Sequence, residues 1–315
     1  MSSTSPTVVV TGGAGFIGSH VAHRFEAEGW NVRVFDDLST GLRENCSDSW
    51  ELVVGDVRDA SAVSAAVHGA NAVVHLAAFI SVPESFERFE DCYRTNVRGT
   101  FHVLEACRKH GVDKLVFASS SAVYAAEPDQ PRSEKDCPDP ISPYAVSKLE
   151  GEHLLEAFRE QHGLRSVALR FFNVYGARQA ADSAYAAAVP IFSERGLRGE
   201  ALTIYGDGHQ TRDFVYVADV AGSIFRAATG EENGVYNVGT GHPVSVLALA
   251  DTLKTLTGSE APHDFASPRL GDVRSSTADV RAIADALGWT PDHSLEDGLQ
   301  DTLAWYRERI GKKGP

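Results

Sequence analysis

The stretch Thr11-Gly12-Gly13-Ala14-Gly15-Phe16-Ile17-Gly18 restricts the fold of this chain more than any other. It follows the apolar run Val8-Val9-Val10 and opens a helical pattern running from Phe16 to Glu28. A short buried strand, a turn with glycine at every third position and then a helix make a device for holding a pyrophosphate. One glycine lets the chain reverse tightly, one lets backbone approach the phosphates, and one lets helix pack on strand. The free amides and partial positive charge of the helix start face the anion.

Strand and helix patterns then alternate. Asn31–Phe35, Leu52–Val54, Ala72–Leu76, Lys114–Ala118 and Ser166–Phe171 read as strands, and Phe89–His110 and Tyr144–His162 as helices, the first interrupted by Asn96 and Gly99. This predicts an α/β fold: a Rossmann-type doubly wound parallel sheet with ligands outside the carboxyl ends of its strands. Beyond Asn173 the alternation is lost. Ala180–Arg198 reads as helix, Tyr205-Gly206-Asp207-Gly208 as a loop, Val217–Thr229 as helix and Gly234–Val238 as a returning strand. Amphipathic helices follow at Val246–Thr257, Val280–Leu287 and Leu295–Ile310. The expected division is a cofactor lobe at 1–172, with 213–240 returning to its sheet. A smaller, discontinuous α/β substrate lobe takes 173–212 and 241–315.

A net charge of −14 over 315 residues argues against nucleic acid or an anionic membrane as partner. No signal-peptide pattern opens the chain, and no stretch reaches the roughly 20 apolar residues of a membrane span. Four widely spaced cysteines and twelve histidines without ligand spacing predict neither disulfides nor a metal site. A reducing cytoplasm is the expected compartment.

Asp36 ends the second strand eighteen residues past Gly18, where an acid meets the adenosine ribose. Its carboxylate accepts from a 2′-hydroxyl and repels a 2′-phosphate, which favours NAD over NADP; the alternative is an ordinary turn aspartate before Leu38-Ser39-Thr40. Small residues Ala77 and Ala78 after Leu76 let backbone lie against a cofactor. His75, inside an apolar strand, reads as a satisfied core histidine.

Tyr144 and Lys148 stand four apart on one helical face. A phenol used as a base near pH 7 needs a shift of roughly three units, about 4 kcal/mol. An ammonium about 4 Å away supplies that much at an effective dielectric of 20. Ser119-Ser120-Ser121 ends the fifth strand, and a hydroxyl there can share a substrate proton with Tyr144.

These stretches, together with Arg170-Phe171-Phe172-Asn173, Arg212–Val217 and Arg269-Leu270-Gly271-Asp272, resemble the extended short-chain dehydrogenase/reductases. Within them the chain is most similar to the NAD-dependent epimerase/dehydratase family and its UDP-glucose (UDP-galactose) 4-epimerase group. The resemblance implies NAD contacts at Gly12, Gly15, Phe16, Ile17, Gly18, Asp36, Asp37, Ser39, Thr40, Asp56, Val57, Leu76, Ala77, Ala78, Asn96, Ser119, Tyr144, Lys148 and Phe171. It makes Tyr144, Lys148 and Ser120 catalytic. It puts Ser120, Ser121, Tyr144, Asn173, Arg212, Arg269, Asp272 and Ser276 against a UDP-sugar, where an arginine fork suits a diphosphate. It also implies a homodimer through the helices beginning near Phe89 and Tyr144.

The implied reaction is hydride shuttling without net oxidation: Tyr144 removes the O4 proton, C4 gives its hydride to NAD, and the 4-keto sugar turns and is reduced on its other face. The dehydratase and decarboxylase branches need an acid at Ser121-Ala122, which is absent. A small Ser276 leaves room for an N-acetyl group, so the UDP-Glc/Gal and UDP-GlcNAc/GalNAc series both fit. UDP-glucuronate, net dehydrogenation and a non-catalytic NAD sensor stay open as alternatives. Ala125, where glycine is usual, and Ala186-Ala187-Ala188, lacking an asparagine, depart from the pattern.

Overall fold

The computed structural model describes residues 5–124, 130–181, 187–268 and 273–313. Strand and helix alternate through β1 (Thr7–Thr11), α1 (Phe16–Ala27), β2 (Asn31–Asp36), β3 (Glu51–Val54), α2 (Ala60–Val67) and β4 (Ala72–His75). There follow α3 (Val82–Glu87), α4 (Phe89–Tyr93), α5 (Gly99–His110), β5 (Lys114–Ser120), α6 (Pro143–His162) and β6 (Ser166–Phe171). The remainder comprises β7 (Asn173–Tyr175), α7 (Ala188–Leu197), β8 (Leu202–Tyr205), β9 (Thr211–Tyr216), α8 (Val217–Thr229) and β10 (Gly234–Val238). It ends with β11 (Pro243–Ser245), α9 (Val246–Thr257), β12 (His263–Ala266), β13 (Ser275–Ser276), α10 (Arg281–Leu287) and α11 (Leu295–Lys313).

The main sheet has seven strands in the order β10-β6-β5-β4-β1-β2-β3, every neighbouring pair parallel. Its central strands read as unbroken apolar runs because both faces are covered. One face packs under α1, α8 and α10 around Phe25, Ile224 and Trp289. The other packs under α2, α5 and α6 around Val63, Leu104 and Phe158. The order reverses between β1 and β4, and the crevice at that switch point is where ligands bind in such sheets.

The second half builds a small sheet, β11-β9-β13 with β7 also on β9, over a core of Tyr175, Phe192, Leu249 and Leu299. Three expectations change. The helix expected from Ala180 starts only at Ala188; Ala180, Ala181 and Ala187 are not helical, and residues 182–186 lie outside the described residues. Within 213–240, β10 pairs with β6, but the β9 part belongs to the small sheet. The interruption in the long helix is a π turn at Arg94–Arg98 that turns Asn96 inward without ending the helix.

Candidate active site

The glycine turn has the form the sequence suggests, with each glycine answering a separate contact. Gly12 adopts φ +71°, and a Cβ there would stand 2.7 Å from the Ala77 nitrogen. At Gly18 a Cβ would lie 2.1 Å from the Gly12 carbonyl oxygen. Gly15 is different: as the N-cap of α1 it offers no side chain to the first-turn amides, and no acidic residue stands in that turn. Amides left to an outside anion fit a dinucleotide pyrophosphate. Phe16 and Ile17 occupy the first turn and pack toward the second-lobe core.

Asp36 ends β2 and is buried. Its Oδ2 accepts from the Ala14 amide at 3.0 Å and its Oδ1 from the Leu38 amide at 2.8 Å. Burial raises its pKa, and the two amides pull it back. Asp37 accepts from the amide and hydroxyl of exposed Ser39, beside exposed Thr40. Asp56 holds Arg58 through two guanidinium nitrogens, which keeps its carboxyl below the usual range. Val57 is buried and its carbonyl faces His102 Nδ1 at 3.0 Å. Leu76, Ala77 and Ala78 follow β4 as partly exposed loop residues at the switch point.

Asn96 is fully occupied by protein. Its Oδ1 accepts from the Phe79 amide at 2.7 Å, and its Nδ2 donates to the Phe79 carbonyl at 3.0 Å and to Ser147 Oγ at 2.9 Å. It thereby ties the loop after β4 to α6. Phe171, buried in the core, is the register partner of Ser120 across β5 and β6.

α6 brings the expected catalytic side chains together. Ser142 caps it, accepting from the Ala145 amide at 3.1 Å, and Pro143 fills the first position. Ser120 is close enough to the Tyr144 phenol to draw its pKa down, and its Oγ accepts from the Ala122 amide at 3.1 Å. Ser121 opens the following 3₁₀ turn. Lys148 Nζ donates to the Ala118 carbonyl at 2.9 Å and stands 5.7 Å from the Tyr144 ring centroid.

The electrostatics differ from the expectation. Burial pushes the phenol up, Ser120 draws it down among the described residues, and Cys92 adds to the rise. Burial also pushes the Lys148 ammonium down to about 8. The lysine's hydrogen bond goes to the Ala118 carbonyl at the end of β5. The Ser119 hydroxyl donates to Glu152.

Of the expected substrate residues, Asn173, Arg212 and Ser276 lie on the small sheet. Asn173, Arg212, Tyr205 and Gln210 line a cavity of about 280 Å³, walled by Ala187, Ala188, Val189 and Phe192. Ser276 pairs with Arg212 in the β13–β9 register. Arg212 Nη1 donates to the Thr211 carbonyl at 2.7 Å. Arg269, Asp272, Ala125 and Ala186 lie outside the described residues. Tyr205 and Gln210 were not expected as lining residues; the signal for them is that Tyr205 opens the Tyr-Gly-Asp-Gly loop and Gln210 lies two residues beyond it.

A doubly wound parallel sheet with a glycine turn after its first strand, a buried carboxylate ending its second and a Tyr/Lys/Ser group at the end of its fifth defines a Rossmann-type short-chain dehydrogenase/reductase fold. Residues 8–239 match the NAD dependent epimerase/dehydratase family, and the chain belongs to that family. A UDP-glucose 4-epimerase of Azospirillum brasilense is 37% identical, with 99% of this chain and 96% of that protein covered. A UDP-glucose 4-epimerase of Thermotoga maritima, crystallised with UDP-glucose, is similar at TM-score 0.93 and 38% identity, over 96% of this chain and 99% of that one. A UDP-N-acetylglucosamine 4-epimerase of Methanobrevibacter ruminantium, in complex with UDP-N-acetylmuramic acid, is similar at TM-score 0.94 and 35% identity, over 97% and 99%.

Proposed function

We propose that this chain is an NAD-dependent UDP-hexose 4-epimerase, acting on UDP-Glc/UDP-Gal and, through the small Ser276, on the N-acetylated pair. The observation that carries the reading is α6, which sets the Tyr144 hydroxyl on Ser120 and Lys148 on the end of β5. Both lie on the carboxyl-end side of the sheet, toward the glycine turn.

The glycine turn and Asp36 would hold NAD, with 1–172 and the strand at Gly234–Val238 as its lobe. Bound there, NAD would supply an oxidised pyridinium as acceptor and later donor of the C4 hydride. Tyr144 accepts the O4 proton and gives it back, and Ser120 holds O4 and the phenol in line. Lys148 orients the nicotinamide ribose from its seat on Ala118. Arg212 would hold the diphosphate about which the 4-keto sugar turns, with Asn173 beside it and Ser276 bounding C2.

No helix among the described residues is long and apolar enough to cross a membrane. The proposed form is a cytoplasmic homodimer. Phe86, Phe89, Tyr93 and Phe101 on α3–α5 and Val146 on α6 leave large apolar surface exposed, which supports pairing through those helices.

The test is separate incubation with UDP-Glc, UDP-GlcNAc and UDP-GlcA, reading C4 configuration by NMR and NADH by absorbance. Inversion of a hexose with flat absorbance is expected. Net NADH formation would identify a dehydrogenase, and conversion of UDP-GlcA alone would move the substrate to the uronate series.

A further inference from the structure

Tyr144, Lys148 and Glu152 occupy three successive turns of α6, and each grips one of three successive residues at the end of β5. Tyr144 meets Ser120, Lys148 meets the Ala118 carbonyl, and Glu152 accepts from the Ser119 hydroxyl. Glu152 and Arg170 form a two-pronged pair, Nε to Oε1 at 2.9 Å and Nη2 to Oε2 at 2.7 Å, with side chains only 4% and 5% exposed. Arg170 is also the β6 register partner of Ser119. One carboxylate therefore joins α6 to both β5 and β6.

We infer that Glu152, braced by Arg170, is a positioning residue that acts through Ser119 to hold the end of β5 where Ser120 meets Tyr144. Filling the space alone does not require charge, because buried ion pairs are often replaced by apolar pairs without loss of stability. A directed hydroxyl-to-carboxylate bond at the residue next to Ser120 instead fixes direction. The Arg170 guanidinium is itself held on its other side: Nη1 donates to Tyr124 Oη at 2.8 Å, and that hydroxyl donates to Asn237 Oδ1 at 2.7 Å. The brace thus runs to β10 and cannot swing with α6 alone.

The inference rests on the reading of Tyr144 as the proton acceptor. Ser119→Ala removes the connecting hydroxyl and leaves the ion pair intact. It is expected to lower kcat about tenfold, with KM and Tm nearly unchanged. The rising limb of the kcat–pH profile should move to higher pH, because Ser120 is what draws the phenol down. An ultraviolet-difference titration of tyrosine, with Tyr144→Phe as the blank, should show Tyr144 ionising at higher pH. Ser119→Thr should restore both readouts. A Glu152→Leu/Arg170→Met double swap that folds should reproduce the Ser119→Ala shift and not add to it. Wild-type kcat and titration in Ser119→Ala, or a fall in Tm alone, overturns the inference; the Ser119 variants decide it by themselves if the double swap does not fold. Should the native protein invert no UDP-sugar, the functional reading fails, and the titration still judges the brace.

Discussion

Lys148 Nζ donates to the Ala118 carbonyl at 2.9 Å, across the gap between α6 and β5, and the side chain is 4% exposed. Its pKa is pushed down from 10.5 to about 8 by burial. Holding that ammonium charged in the folded protein therefore costs stability below pH 8. The cost disappears as pH rises through the folded value toward 10.5, where the unfolded side chain also loses its proton. A shift of this size corresponds to about 3 kcal/mol. Lys148→Met fills the same space without charge. In the NAD-free protein it should raise Tm by a few degrees at pH 7, lose that advantage toward pH 10, and abolish epimerisation. A lower Tm at pH 7 would mean that the Ala118 bond outweighs desolvation.

Among the described residues, Ser120 draws the Tyr144 phenol down against its burial. Ser120→Ala should move the rising limb of the kcat–pH profile to higher pH, because a base with a raised pKa is deprotonated later. The loss in kcat at pH 7 should be about 100-fold, within the range for a displaced acid–base group. Retention of the wild-type limb would remove Ser120 from the proton path.

The large sheet was legible because parallel strands buried on both faces are written as apolar runs such as Val8–Val10, and because glycine spacing reports a turn wherever a Cβ has no room. Tyr144 and Lys148 were legible through helical spacing. The small sheet was not: Asn173–Tyr175, Pro243–Ser245 and Ser275–Ser276 have two or three residues each, too few to show a period. The direction of Lys148 and of Ser119 was hidden for another reason. Both depend on what the facing element offers, a carbonyl at Ala118 of β5 for Lys148 and the α6 glutamate one turn beyond Lys148 for Ser119, and no local pattern encodes that.

Asp36 accepts from two backbone amides, so its carboxylate is fixed in place before any ribose arrives. An immobile negative charge there should exclude a 2′-phosphate by about 1–2 kcal/mol in a solvated cleft. Asp36→Asn removes the charge with little change of volume and turns one amide nitrogen toward the Ala14 or Leu38 amide, so the ratio of affinities, not either affinity alone, is the readout. The NAD-to-NADP affinity ratio, measured by nucleotide fluorescence titration, should fall by about tenfold or more. An unchanged ratio would assign discrimination to another residue.

Asp213 is completely buried and accepts four hydrogen bonds: from Thr240 N and Oγ1, each at 2.7 Å, from Gly241 N at 2.9 Å, and from Ala278 N at 3.1 Å. Its side chain joins the β10–β11 turn to the strand carrying Arg212 and to the segment just past Ser276. In Asp213→Asn, one amide nitrogen would confront backbone donors. The expected cost is about 2–3 kcal/mol, seen as a lower Tm, with KM for the UDP-sugar raised more than kcat is lowered. An altered kcat at constant KM would argue that this hub does not shape the substrate lobe.

His75 has a single set of partners that fits every donor. The Thr100 hydroxyl is committed to the Asn96 carbonyl, so its oxygen accepts from His75 Nε2–H at 3.0 Å. Nδ1 then accepts from the Thr11 hydroxyl at 2.7 Å, whose oxygen takes the Ala77 amide at 3.2 Å. This chain of bonds joins the glycine turn, the loop after β4 and the π turn, and it requires a neutral ring. Burial accordingly lowers the His75 pKa from 6.5 to about 3. A histidine depressed in this way contributes stability that is fully present above pH 6.5 and is lost as pH falls toward 3, because the unfolded chain takes up the proton first. His75→Gln removes the titrating group. It should be less stable than the native protein at pH 7, since a linear amide cannot reproduce both ring bonds, but its urea-unfolding free energy should fall less steeply between pH 6.5 and 4. Parallel slopes for the two proteins would place the acid sensitivity elsewhere, first at His20, whose pKa burial lowers to about 4.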